Sequence, residues 1–205
     1  MRAVVLRTHG GPEVLTIEEV DDPTPGRDDI VVDVEHTAIN RADILQRMGM
    51  YPDPRNRSVE IPGLEFAGVV SAVGADVIGW SVGDRAMGIE AGGCYAGKVV
   101  THARQALPVP ASVASADAAA IPEVFLTAWD DLVVQGGLTS GRWALVHAGA
   151  YGVGTAVLQI AKAIGGRIAV SCTAGKVDAC RELGADVVLE RSPADWLGAL
   201  AGAVP

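Results

Sequence analysis

The sequence predicts a chain of two unlike halves: a β-rich first part and an α/β second part built on a parallel sheet. Three observations carry that expectation. Short β-prone runs alternate with turn residues up to about residue 110. From Ser112 onward helical runs alternate with short apolar runs. Within that second part Gly149, Gly152 and Gly154 punctuate a junction between one apolar run and one helical run.

In the first part the strands are "RAVVLRT", "LTIEEV", "DIVVDVEHTAI", "FAGVVSAVG" and "GKVVTHA". The turns between them are "HGGPE", "DDPTPGRDD", "YPDPRNRS", "VGDR" and "EAGG". Many short strands at such spacing suggest a sandwich or barrel. "NRADILQRMGMY" interrupts them with a short helix, capped by Asn40 and with Ala42, Ile44 and Leu45 as its apolar positions.

In the second part "SVASADAAAIPEVFLTAWDDLVVQGGL" reads as helix, broken at Pro122 and stopped at Gly136-Gly137. "RWALVHAG" reads as a fully buried strand, because consecutive positions are apolar. A helix over "GVGTAVLQIAKAIGG", a strand "RIAVSCTAG", a helix "KVDACRELGA" and a strand "DVVLE" follow. A polar turn and a short helix "PADWLGALAG" complete the order. Alternating strand and helix implies parallel pairing with right-handed crossovers. The boundary between the parts is expected near residue 120, giving domains over 1–120 and 121–205.

The 205 residues are 49% hydrophobic and 20% charged, the balance of a folded chain with an ample core. A formal net charge of −9 and the lack of a basic stripe argue against a nucleic-acid partner. Cys94, Cys172 and Cys180 are odd in number and lack metal-ligand spacing, which suggests reduced thiols in a cytoplasmic setting. No signal peptide and no apolar span are expected, hence no membrane partner.

The glycine pattern lies inside a β-α-β unit, the context a dinucleotide site requires. Helix-start amides there would hold a pyrophosphate. The third place of the pattern, where the backbone must approach the ligand closely, holds Tyr151. After the second strand no carboxylate appears until Asp178, where an NAD site would hold a ribose. Ser171, Thr173 and Lys176 could accept a 2′-phosphate instead, so NADPH is expected over NADH. The alternative reading of Lys176 is a solvated lysine at a helix start.

A catalytic zinc needs converging ligands. His36, His102 and His147 are scattered and Cys94 stands alone, so no metal is expected. No G-x-S-x-G elbow supports a serine nucleophile. Asn40, Tyr51 and Glu65 have ordinary structural readings as helix cap, packing residue and buried partner.

The segments "GGPEVL", "INRADILQRMGMYP", "IPGLEFAGVVSAVG", "VGDRAMGI", "AAAIPEVFLTAW", "HAGAYGVGTAVLQIAK" and "CRELGADVV" run in one order along nearly the whole chain. Together they resemble the zinc-free quinone oxidoreductases of the medium-chain dehydrogenase/reductase superfamily, with the p53-inducible quinone oxidoreductase-like group nearest. The resemblance implies a GroES-like β-rich domain followed by a Rossmann domain. It implies NADPH-dependent, zinc-independent hydride transfer to a small quinone or enone. Zinc-dependent relatives carry a cysteine within "NRAD" and Gly-His-Glu at Gly63-Leu64-Glu65. By resemblance Asn40, Tyr51 and Thr127 fall near the nicotinamide and substrate. Gly149, Tyr151, Gly152, Val153 and Gly154 fall on the pyrophosphate, and Thr173 and Lys176 near the adenosine phosphate.

Three departures accompany the resemblance. Tyr151 replaces a small residue, the segment after "TAG" is shortened, and only the first half of the Rossmann sheet, in order 3-2-1, is expected. A half-sheet leaves the "WALVHAG" strand with an open edge. The reductase reading therefore includes completion by a partner chain or by self-association as a homo-oligomer, and two other readings stay open: an inactive fragment or pseudoenzyme serving as a binding or structural module, and an enoyl-thioester reductase.

Overall fold

The computed structural model describes residues 1–52, 60–191 and 196–204. The proline-rich turn expected over 51–58 lies outside the described residues from residue 53 on, as does the polar turn at 192–195. The chain forms two compact units, Met1–Glu123 and Val124–Pro205.

The first unit contains β1 (Arg2–Leu6), β2 (Leu15–Glu19), β3 (Asp29–His36), α1 (Arg41–Arg47), β4 (Glu65–Val73), β5 (Arg85–Ile89), β6 (Lys98–His102), β7 (Ala106–Pro108) and α2 (Ser115–Ala118). β1 and β2 make an antiparallel pair, and the other strands form a five-stranded sheet in the order β6-β3-β4-β5-β7. Strand alternation explains its two cores. Phe66 and Val70 of β4 point to one face and pack with Ile30, Val32, Ala86 and Val99. Ala67, between them, points to the other and packs with Met87, Val109, Ala118 and Ala119. Both faces of β4 are covered, so its buried run is nearly continuous. β5 and β7 were not among the expected strands; β5 begins at the end of the expected turn "VGDR", and pairing of Glu65–Val69 with Arg85–Ile89 makes it a strand.

α1 forms where expected, with Asn40 at its N-cap, but it is buried by a different face. Asp43 and Gln46 are the buried positions, whereas Ile44 is exposed. The polar side chains go inside because partners await them: Tyr95 Oη donates to Asp43 Oδ2 at 2.8 Å, and Gln46 Nε2 donates to the carbonyl of Ala91 at 2.6 Å.

α3 (Pro122–Trp129) begins at Pro122, a residue suited to a first helical turn, and runs into a π-helical turn over Asp130–Gln135. The second unit continues with β8 (Trp143–His147), α4 (Gly152–Ile164), β9 (Arg167–Cys172), α5 (Val177–Glu182), β10 (Val187–Glu190) and α6 (Trp196–Ala203). All strand pairs are parallel, in the order β10-β9-β8, as expected for half of a Rossmann sheet. α4 buries Ala156, Val157, Leu158, Ile160 and Ala161 on one side, the 3.6-residue stripe that its sequence carries, and ends on Gly165 at φ +75°. β9 is buried from Ile168 to Cys172.

β8 corrects one expectation. It is not fully buried: Leu145 is 39% exposed. Among the described residues β8 pairs with β9 alone, so one flank of an apolar strand faces outward. No helix among the described residues is long and apolar enough to cross a membrane.

Candidate functional site

The site in the second unit is built where β8 ends. Ala148 follows the last strand residue at φ +58°, a left-handed conformation costly for a residue with a Cβ, and turns the chain toward α4. Gly149 then passes so close to β9 that an added Cβ would lie 2.8 Å from Val170 Cβ. At Gly154 a Cβ would lie 2.5 Å from the carbonyl oxygen of Ala148 and 2.8 Å from the backbone of Gly149. These two glycines let the helix start sit against the strand end, which is the packing role such glycines serve in a dinucleotide loop.

Tyr151 occupies the N-cap of α4, and its side chain makes no capping bond. The first-turn amides of Gly152, Val153 and Gly154 have no intrahelical acceptor. Gly149 N–H and Tyr151 N–H are already committed, to the carbonyls of Ser171 and Ala148 at 3.2 and 3.0 Å. The loop therefore offers a cluster of helix-start donors, with the positive end of the helix dipole behind them. This donor set fits a dinucleotide diphosphate.

Beside the loop, outside the carboxyl ends of the strands, lies a pocket of about 330 Å³ lined by His147, Tyr151, Ser171, Cys172, Thr173 and Arg191. Such a crevice is where α/β sheets bind ligands. His147 Nδ1 and Ser171 Oγ share a 2.8 Å hydrogen bond across the ends of β8 and β9. A larger concavity of about 630 Å³ runs along the outer side of β8, and Tyr151 lines it as well. Tyr151 is 62% exposed and stands between the two spaces. Lys176 does not line the smaller pocket, but its Nζ lies 3.9 Å from the centroid of the Tyr151 ring. Arg191 was missing from the sequence-based candidates; its only sequence signal is its place directly after the third parallel strand.

In the first unit Asn40 is half-buried, and its Nδ2 donates to Glu65 Oε1 at 2.7 Å. Its backbone N–H donates to Asp43 Oδ2 at 2.6 Å. Glu65 Oε2 accepts from the Glu123 N–H at 3.0 Å. Burial raises the Glu65 and Asp43 carboxyls above their ordinary range, and the hydrogen bonds they accept work against that rise. Tyr95 is raised too, first by burial and then by its bond to Asp43. Leu64, next to Glu65, is a buried apolar side chain. Among the described residues no three His, Cys, Asp or Glu side chains gather as metal ligands would. Tyr51 is 40% exposed after α1, and Thr127 is half-buried on α3 in the second unit.

Comparison with known proteins agrees with this architecture. Residues 26–111 match the alcohol dehydrogenase GroES-like domain. The chain is 37% identical over 188 residues to a mycocerosic acid synthase-like polyketide synthase of Mycobacterium tuberculosis, covering 90% of this chain and 9% of the synthase. It is similar to the Escherichia coli quinone oxidoreductase complexed with NADPH, with 31% identity and a TM-score of 0.88 over 99% of this chain and 63% of that one. It resembles the CurK enoyl reductase at 26% identity and a TM-score of 0.89, covering 98% of this chain and 64% of that one. A NAD-dependent alcohol dehydrogenase matches at 31% identity and a TM-score of 0.87, over 99% of this chain and 68% of that one. The chain thus spans a small fraction of the synthase and about two thirds of each enzyme structure.

Proposed function

The chain belongs to the medium-chain dehydrogenase/reductase superfamily, and we propose that it serves NADPH-dependent, zinc-independent reduction of a conjugated carbonyl compound. The observation that carries this reading is the loop from Ala148 to Gly154, whose close-packed glycines and unclaimed helix-start amides adjoin the pocket of Ser171, Thr173 and Arg191. When bound, NADPH supplies the hydride. The residues of the chain hold and orient it. Amides of Gly152, Val153 and Gly154 take the diphosphate, and Thr173, Lys176 and Arg191 take the adenosine phosphate. Asn40, Tyr51 and Thr127 are assigned to the nicotinamide and substrate end. Leu64, a buried apolar side chain, and Asn40, an amide engaged with Glu65, support the zinc-independent reading.

Two acceptor classes are proposed. A small quinone is favoured by the Escherichia coli quinone oxidoreductase likeness. An enoyl thioester is favoured by the polyketide synthase relative and the CurK enoyl reductase. The test is titration of the purified chain with NADPH, followed by oxidation of NADPH in the presence of a small quinone or a crotonyl thioester. Saturable binding with turnover of either acceptor is expected, and the faster acceptor names the class. Binding without turnover of either would support the binding-module reading, and no binding would overturn the cofactor assignment.

A further inference from the structure

Two features of the second unit meet at one contact. Tyr151 stands in the third place of the glycine pattern, where the backbone must approach a diphosphate closely, and only a short segment joins β9 to α5. In the structure that short segment is a single 3₁₀ turn, Ala174–Lys176, closed by the Lys176 N–H donating to the Thr173 carbonyl at 2.9 Å. The turn folds Lys176 back toward the glycine loop. Its ammonium comes to rest 3.9 Å from the centroid of the Tyr151 ring, well inside cation–π range. The same ring lines the pocket that Ser171, Thr173 and Arg191 share. Lys176 alone does not reach that pocket's lining; through Tyr151 it is held at the rim.

We propose that Tyr151 is a positioning residue for Lys176: its ring holds the ammonium beside the Ser171–Thr173–Arg191 pocket and makes that pocket prefer adenine nucleotides with a 2′-phosphate. The inference rests on the cofactor reading above and adds to it the residue that sets phosphate preference. A free lysine side chain loses considerable rotamer freedom when it binds a phosphate. A lysine already restrained over an aromatic face loses less.

The test titrates the full chain calorimetrically with adenosine 2′,5′-bisphosphate and, separately, with ADP. The wild type should prefer the bisphosphate. Tyr151→Phe should keep that preference, because the ring remains. Tyr151→Leu should lower it roughly 2- to 5-fold, the scale of an exposed cation–π contact. In a Lys176→Met background Tyr151→Leu should lower it no further. A preference that Tyr151→Leu leaves intact, or that falls equally with and without Lys176, would overturn the proposal. A readout without nucleotide accompanies these: the Lys176 ε-methylene protons should be ring-current shifted in the wild type and Tyr151→Phe and unshifted in Tyr151→Leu. Absence of that shift in the wild type would also overturn it. Binding of both nucleotides without preference would refute the positioning role alone. Binding of neither would refute the cofactor site on which it rests.

Discussion

The Asn40 amide donates to the Glu65 carboxylate at 2.7 Å, which ties the start of α1 to the start of β4. Glu65 is 1% exposed, and it accepts a second bond from the Glu123 N–H. The burial cost of its charge still prevails, so its folded pKa is raised above the ordinary value of 4.5. A raised carboxyl binds its proton more tightly in the folded state. Its contribution to stability is therefore complete below pH 4.5 and declines as pH rises through the folded value. Glu65→Gln should flatten the fall in melting temperature between pH 4.5 and neutrality. Asn40→Ala should steepen it and cost about 1–3 kcal/mol at neutral pH by leaving the carboxylate short of a donor. Thermal melts across that range would check both.

Ala148 adopts φ +58° between β8 and the glycine loop. A left-handed conformation costs a residue with a Cβ about 1–2 kcal/mol. Glycine removes that cost and adds about 0.5–1 kcal/mol of backbone entropy. Ala148→Gly should therefore be stabilising by up to about 1 kcal/mol, and Ala148→Val clearly destabilising. Urea unfolding of the three proteins would show this order. A loss of stability in the glycine variant would contradict it.

Gly149 and Gly154 should differ in how they tolerate alanine. At Gly149 the new methyl meets Val170 Cβ at 2.8 Å, and that side chain is fully buried and β-branched, so only a shift of β9 itself would relieve the contact. At Gly154 it meets the Ala148 carbonyl oxygen still closer, at 2.5 Å, within the loop's own backbone. Overpacking typically costs about 1–3 kcal/mol. Both substitutions are expected toward the upper end, with Gly154→Ala the more costly. Both should weaken NADPH binding, since both displace the helix start. Melting temperature and a fluorescence titration would separate the two effects.

Arg191 follows β10 and lines the pocket with Thr173. Its guanidinium is the cation of that lining, and a charge-assisted hydrogen bond contributes about 1.5–3 kcal/mol. Arg191→Ala should weaken adenosine 2′,5′-bisphosphate by roughly 10- to 100-fold. The same variant should change 5′-AMP binding far less.

Cys94, Cys172 and Cys180 are free and buried. Burial pushes the Cys94 thiol well above its usual range, and burial together with the neighbouring Cys172 pushes Cys180 up to about 11. A thiolate is the reactive form. A chromogenic disulfide reagent at neutral pH should find no fast-reacting thiol in the native chain and all three after denaturation.

The sequence by itself determined the alternation that separates a β-rich half from a β-α-β half, the apolar stripe of α4, and the glycines at the strand-to-helix junction. These are local properties, set by side-chain period and by the absence of a Cβ where backbones meet. Tertiary structure alone decided that β5 and β7 are strands, because pairing across the sheet rather than propensity makes them so. It decided that α1 buries Asp43 and Gln46 instead of Ile44, because Tyr95 and the Ala91 carbonyl supply their partners from distant parts of the chain. It also brought Lys176 to Tyr151 and placed Arg191 beside Thr173. Contacts between residues far apart in sequence are fixed by how the strands stack, and no local pattern encodes that.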